Sequence, residues 1–315
     1  MRKYRNPYVK KDWKQREFVL KYILCTPIMG GIFLLGGNNM RKEERMRVDK
    51  YMCIDTVLYN SPNLLLVETR RSTEKAAYII CEGLSMSVDT KYNVPLKWDP
   101  YMTIPNAEGY PEQEGDIIMM YFPFECAGLK EAGIELAEYI NSNMKDYEDI
   151  YIIGHSKGGV CIAKAAKWLK KRCFMVFVSA PFMGTVMADE NKVKRRLTTP
   201  IEYGIYERFY KRHKVDLDIR PTEEPFRNCD YSGVVRHQCV NVISETVNIH
   251  TPMDLGCKYL NLRMHYTHGD GIVTVATQKI LSVLYSNVRT VYIDASHGNS
   301  LSRYLSKDAD KYIIA

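Results

Sequence analysis

One stretch of the chain has residue types and spacing that could activate a nucleophile: Tyr151-Ile-Ile-Gly154-His155-Ser156-Lys157-Gly158-Gly159. A serine hydroxyl attacks poorly until the backbone presents it where a base can take its proton. A sharp turn from strand to helix does this, and glycines flanking the serine let strand and helix approach closely. With Gly near ~7% of residues and Ser similar, Gly-x-Ser-x-Gly arises by chance in roughly one chain in ten of this length. Context therefore decides. Two later segments supply a base and an acid: His268-Gly269-Asp270-Gly271-Ile272-Val273 and Asp294-Ala295-Ser296-His297-Gly298. If each follows a parallel strand, Ser156, Asp270 and His297 meet at one edge of a sheet. Asp254 and Asp294 are the other carboxylates that could orient the histidine.

The elements that must position these residues can be read from hydrophobic periodicity. Met52–Tyr59 and Leu64–Arg70 are β-rich runs around the turn cluster Asn60-Ser61-Pro62-Asn63 and predict a hairpin. Ala76–Cys81, Asp116–Tyr121, Ile150–Ile153, Phe174–Val178, Tyr259–Met264 and Thr290–Ile293 predict further strands. Helical spacing covers Leu129–Asn143, Val160–Lys171 and Lys279–Ser286. Apolar strands alternating with helices predict an α/β fold: a mostly parallel sheet flanked by helices, with an antiparallel hairpin before it. Between Met183 and Leu255 the rhythm breaks into a basic run, an aromatic run around Tyr203–Tyr210, and Pro200, Pro221 and Pro225. That stretch, 183–255, is expected to be a cap or lid inserted within a domain spanning 49–315.

The net charge of +7 is local in origin. Residues 1–50 carry thirteen Lys/Arg against five Asp/Glu, which leaves 31 against 32 for the rest. The body is neutral and has no nucleic-acid module, so nucleic acid is not expected as a partner. Residues 1–48 form a separate basic and apolar segment. Within it residues 18–40, uncharged from Tyr22 to Met40, approach the ~20 apolar residues that span a bilayer. Pro27 and four glycines weaken it as a continuous helix, so membrane association is one expectation and burial against the body the other. Nine scattered cysteines, an odd number with no Cys-x-x-Cys, suggest reduced core residues, with no disulfide framework or metal site. A cytoplasmic location follows, with membrane association through residues 18–40 as the qualification.

The chain resembles the α/β-hydrolase superfamily, in particular its lipase- and esterase-like members. The resemblance rests on Gly154-His-Ser-Lys-Gly-Gly159, Gly269-Asp-Gly-Ile-Val273, the late His297, and Ser179-Ala-Pro-Phe-Met-Gly-Thr185. The order Ser, Asp, His is that of the superfamily. It implies Ser156 as nucleophile, His297 as general base and Asp270 as orienting acid. It also implies backbone N–H groups of Leu84 and Lys157 as oxyanion donors, and Phe182 and Met183 as substrate contacts. Where the family often has His-Gly after the third strand, this chain has Glu82-Gly83. The Lys157 side chain is expected in solvent, and His155, His265 and His268 are expected in structural or pocket-lining roles. The function implied is hydrolysis of a small-molecule or lipid-like carboxylic ester with no cofactor. Amidase, thioesterase or acyltransferase chemistry on the same fold is an alternative, as is a non-catalytic binding scaffold.

Overall fold

Alternating apolar residues in the central strands face two different cores, which requires a sheet covered on both sides. The computed structural model describes residues 56–60, 65–69, 76–86, 116–123, 126–196, 214–221, 230–305 and 309–314. Eight strands form one sheet: β1 (Thr56–Asn60), β2 (Leu65–Thr69), β3 (Ala76–Met86), β4 (Asp116–Pro123), β5 (Asp149–His155), β6 (Phe174–Val178), β7 (Gln238–Glu245) and β8 (Val288–Asp294). Their spatial order is β1-β2-β4-β3-β5-β6-β7-β8. The hairpin β1–β2 is antiparallel and joins β4 antiparallel, while the pairings from β4 through β8 are all parallel. The helices are α1 (Leu129–Asn143), α2 (Lys157–Ala165), α3 (Glu190–Arg196), α4 (Lys214–Leu217), α5 (Pro252–Leu260), α6 (Val275–Leu284) and α7 (His297–Tyr304).

Ile79, Cys81, Ile152, Met175 and Phe177 point into the larger core, which α1 and α2 cover with Leu129, Leu136, Val160 and Ile162. Their neighbours Ile80, Ile153 and Val178 join Val242 and Ile293 on the opposite face, against Leu301 and Tyr304 of α7. Because both faces are apolar, a one-residue slip would not expose a strand to water. Register therefore needs another determinant. Tyr78, Tyr151 and Phe174 are in register on β3, β5 and β6 and stack with ring centroids 4.9 and 4.8 Å apart. Each such pair contributes about 0.5–1.5 kcal/mol beyond its burial, and a slip would break the ladder. The ladder fixes where β5 ends, and Ser156 follows at once.

The structure departs from the sequence reading at several elements, and the helix expected over Lys279–Ser286 starts earlier, at Val275–Leu284. The expected strand Tyr259–Met264 is the end of α5 and a π-turn, Asn261–His265. Its start was legible: Thr251 caps α5 and Asp254 returns the bond, a capping box with Pro252 in the first turn. The apolar Tyr259–Leu262 run obscured it. Next, the expected insertion 183–255 contains β7, which pairs in parallel with β6 on one side and the edge strand β8 on the other. An irregular segment can thus extend only to His237. Its residues 197–213 and 222–229 lie outside the described residues, so a cap there is an expectation. Finally, α2 ends at Ala165, short of Lys171. Arg236 Nη2 there takes the carbonyls of Ala166, Lys167 and Leu169 at 3.1, 2.8 and 3.2 Å, and the His237 ring donates from Nε2 to Ala166 O at 3.0 Å. These donors satisfy the carbonyls that end the helix.

Six described cysteines are free and buried, as the sequence suggested. Burial pushes the Cys126 thiol up to about 11 and Cys173 and Cys239 up to about 12. Residues 1–48, and with them the segment 18–40, lie outside the described residues. Among the described residues no helix is long and apolar enough to cross a membrane.

Candidate functional site

The strand β5 stops at His155, and the chain turns through Ser156 into α2 with Ser156 at φ 53° and ψ −126°. A non-glycine residue with positive φ costs about 1–2 kcal/mol, so the surroundings must hold it there. Ser156 N–H donates to Val178 O of β6, and Ser156 O accepts from Gly159 N–H, both at 3.0 Å. Sterics complete the hold. A methyl at Gly158 would lie 2.0 Å from Cys81 O, and one at Gly154 would lie 2.6 Å from Gly159 Cα. Only glycine permits the strand and helix to come this close.

His297 opens α7 just beyond β8. Its Nε2 lies 3.0 Å from Ser156 Oγ, and its Nδ1 lies 2.8 Å from Asp270 Oδ2. A carboxylate only accepts, so the proton sits on Nδ1, leaving Nε2 as the lone-pair nitrogen facing the serine hydroxyl. His297 is further tied by its backbone. Its N–H donates to Asp270 O at 2.9 Å, and its carbonyl accepts from His155 Nε2–H at 3.0 Å and from Ser300 Oγ–H at 3.0 Å.

Asp270 does not follow a strand directly. From β7 the chain passes through α5 and the π-turn before it returns to the sheet edge. Asn261, first residue of the π-turn, straddles the acid turn: its amide donates to Gly269 O at 2.6 Å, and its carbonyl accepts from Gly271 N at 2.9 Å. His265, last in the π-turn, donates from Nε2 to Gly271 O at 3.2 Å. Thr246 N–H, just past β7, donates to Gly269 O at 2.9 Å. The Asp270 carboxylate has no solvent exposure. Its Oδ1 accepts from Ile272 and Val273 N–H at 3.0 and 2.7 Å, and its Oδ2 accepts from Ser244 Oγ at 2.9 Å as well as from His297. Burial alone would push this carboxyl up, but the facing His297 and the backbone donors outweigh it and hold the group ionised below the usual range.

The two competing carboxylates are engaged elsewhere. Asp254 accepts from Arg303 Nη2 at 2.8 Å and caps α5. Asp294 bonds His250 Nε2 at 2.9 Å and the Asn248 amide at 2.8 Å. Of the three acids raised by the sequence, Asp270 is the one hydrogen-bonded to His297.

The remaining expected site residues divide. Leu84 lies in β3 where its pairing with β4 shifts register between Cys81 and Ser85, next to Gly83. A methyl at Gly83 would stand 2.8 Å from Ser156 Cβ and 3.1 Å from Lys157 N, so this irregular stretch lies against the turn. The Lys157 side chain was expected in solvent. It is buried instead, with its ammonium 6.0 Å from the Phe122 ring centroid. Phe182 does not face an open site. At 2% exposure it packs edge-on against Phe177 and Tyr231 in the larger core, where burying a large apolar ring and its edge-to-face contacts is favourable. Met183 beside it is half-buried. Of the other histidines, His155 braces the His297 loop, His265 the acid turn, and the exposed His268 pairs with Glu245. Sequence reasoning missed Ser244 and Asn261, whose contacts come from tertiary placement alone. Among the described residues no three His, Cys, Asp or Glu side chains converge as a metal set.

No protein-family model matches the chain, and no curated protein matches it in sequence. Solved structures do. An esterase of Pyrococcus furiosus, Pf2001, superposes with TM-score 0.50 at 13% identity over 82% of this chain and 91% of that one. The mature Bacillus licheniformis lipase BlEst2 (TM-score 0.45, 14% identity) covers 78% of this chain and 96% of its own. The Bacillus subtilis carboxylesterase CesB (TM-score 0.46, 9% identity) covers 85% and 93%. With its parallel sheet, flanking helices and this structural likeness, the chain has the α/β-hydrolase fold, of the form found in lipases and esterases.

Proposed function

We propose that the protein is a serine hydrolase that cleaves a carboxylic ester. The observation that carries this is the unbroken line Ser156 Oγ–His297 Nε2 at 3.0 Å and His297 Nδ1–Asp270 Oδ2 at 2.8 Å, with the serine on a strained turn. In the acylation step Ser156 Oγ attacks the ester carbonyl while its proton passes to His297 Nε2. The carbonyl electron pair moves to oxygen. His297, now an imidazolium balanced by buried Asp270, returns the proton to the departing alkoxide as the acyl–alkoxide bond breaks. Water then repeats the sequence on the acyl-enzyme, with His297 taking its proton, and releases the acid. The tetrahedral oxygen anion needs fixed N–H donors. Lys157 N–H at the start of α2 and Leu84 N–H are assigned this role. Such donors contribute ~10²–10³ and general base transfer ~10²–10⁴ in rate. An esterase of the same fold supports the substrate class.

The test is labelling of Ser156 by a fluorophosphonate, with p-nitrophenyl esters of increasing acyl length run against amide and thioester panels. Ser156→Ala is expected to keep the unfolding transition and lose labelling and turnover. A wild-type protein that is folded and resists the label would refute the reading. Faster turnover on amides, thioesters or acyl acceptors would move the assignment to another reaction of the same triad. Residues 1–48 are proposed as a tether that brings the enzyme to a membrane, readable as a shift to the soluble fraction when they are deleted.

A further inference from the structure

Three described non-glycine residues have positive φ: Ser156, Ser179 and Tyr266. Ser156 carries the proposed nucleophile, and Tyr266 ends the π-turn that braces Asp270. Ser179, at φ 52°, lies just past β6, has no solvent exposure, and takes no part in the mechanism above. A strained position that survives in a packed core points to a role for its side chain.

Its hydroxyl contacts two others. Ser179 Oγ bonds Ser244 Oγ and lies 2.7 Å from Ser300 Oγ, and both partners are fully buried. Ser244 Oγ donates to Asp270 Oδ2 at 2.9 Å, the same oxygen that receives His297 Nδ1. Ser300 Oγ donates to His297 O at 3.0 Å. The trio thus runs from the carboxylate to the backbone of the histidine it orients.

Counting protons fixes the direction. Each hydroxyl has one, and the two ends of the chain, a carboxylate and a carbonyl, only accept. Ser244 must spend its proton on Asp270 and Ser300 its proton on His297 O. The Ser179 proton is then shared between the two serine oxygens, which makes Ser179 the donor that polarises both.

We propose that Ser179, Ser244 and Ser300 are positioning residues that lock the acid turn to the base loop, with Ser179 as their hub. The trio holds Asp270 Oδ2 and the His297 carbonyl at a fixed separation, so the imidazole stays aimed at Ser156 during proton transfer. This rests on the Ser156–His297–Asp270 reading.

Replacing Ser179 by glycine or by alanine separates position from stability. Both remove the hydroxyl, but only glycine relieves the strain at φ 52°. In ester hydrolysis both variants are expected to lose about tenfold in kcat with KM within about twofold. Ser179→Gly should melt about 2–4 °C above Ser179→Ala. Ser244→Ala, which takes the donor directly off Asp270, should lose at least as much kcat as either. Wild-type kcat in both Ser179 variants would overturn the proposal, as would kcat losses that follow melting temperature. Wild-type enzyme is labelled with fluorophosphonate in parallel. If it labels normally, failure in the variants falls on the serine trio alone; if it does not label, the hydrolase reading falls and takes the trio with it.

Discussion

Gly83→Ala tests the placement of β3 against the nucleophile turn. The added methyl would stand 2.8 Å from Ser156 Cβ, 3.1 Å from His155 O and 3.1 Å from Lys157 N. None of these atoms is the free end of a flexible side chain. Ordinary contact begins at 3.4 Å, so the turn and β3 must part by the difference from 2.8 Å, about 0.6 Å. Productive geometry tolerates about 0.5 Å, and a 1 Å error costs about 10²-fold. The expected fall in kcat/KM is therefore about 10–100-fold, or about 1.4–2.7 kcal/mol of barrier. Overpacking should also cost about 1–3 kcal/mol of folding stability. Gly133→Ala is the control. Its methyl would meet Ala165 N and Cys161 O at 3.0 Å, between α1 and the far end of α2. That variant should lose stability while each folded molecule keeps its fluorophosphonate labelling rate. The assay is labelling and p-nitrophenyl ester hydrolysis alongside thermal unfolding. A Gly83→Ala enzyme with wild-type kcat/KM, or a Gly133→Ala enzyme equally impaired per folded molecule, would refute the placement.

Three further outcomes follow from the buried carboxylates. Asp254→Asn leaves the buried Arg303 guanidinium facing a neutral amide, which should cost about 3–5 kcal/mol in urea unfolding while folded protein still labels. Asp270→Asn should do the reverse, cutting kcat by about 10⁴-fold because the Nδ1 proton loses its acceptor. Acid should destabilise the protein in a defined window. Burial works against the charges of Asp254, Asp270 and Asp294, yet the bonds from Arg303, the facing His297, and the Asn248 and His250 donors hold all three carboxyls below their ordinary range. A depressed carboxyl adds stability in full above its unfolded value near ~3.9, and that stability is lost as pH falls through the folded value. Urea midpoints should begin to fall below about pH 6.5, where the unfolded chain protonates His237 and His265 whose folded values burial lowers, and fall further below about pH 4, there less steeply in Asp254→Asn. A midpoint that rises on acidification would refute the sign.

What the sequence revealed and what it hid have a common physical cause. Leu129–Asn143 was legible to the residue because its apolar positions follow one helical period, and Phe174–Val178 because it is a short, wholly apolar run. The turn at Ser156 was legible because its glycines are required by contacts within a few residues. The path to Asp270 was not. Its helix α5 is short, and the residues that end it and open the π-turn, Tyr259 to Leu262, have the composition of a strand. β7 was missed for the opposite reason: Asn241 and Ser244 interrupt its apolar run. Both are buried polar residues engaged by α6 and the acid turn, through Gln278 O at 2.8 Å and Asp270 Oδ2 at 2.9 Å. A polar side chain whose partners lie 26 to 65 positions away looks like a loop residue in sequence.

The same distinction predicts how each part of the site responds to change. Ser156 is held by hard contacts: methyls at Gly154, Gly158 or Gly83 would come within 2.0–2.8 Å of their nearest neighbours. Repulsion rises steeply, so substitutions at Gly158 and Gly154, with approaches of 2.0 and 2.6 Å, should be more severe than Gly83→Ala at 2.8 Å. Asp270 and His297 are instead held by side-chain hydrogen bonds from Asn261, Ser244, His265, Ser300 and His155, each within 2.6–3.2 Å. A buried hydrogen bond has a net worth of about 0.5–1.5 kcal/mol, and several share each group. Losing one should weaken the aim of the base by a graded amount and leave the rest in place. Coupling should then appear within the hydrogen-bonded set, as double substitutions at 244 and 261 that cost more than their sum, and be absent between either residue and Gly133. Additivity at 244 and 261 would mean that each holds the acid turn independently of the other.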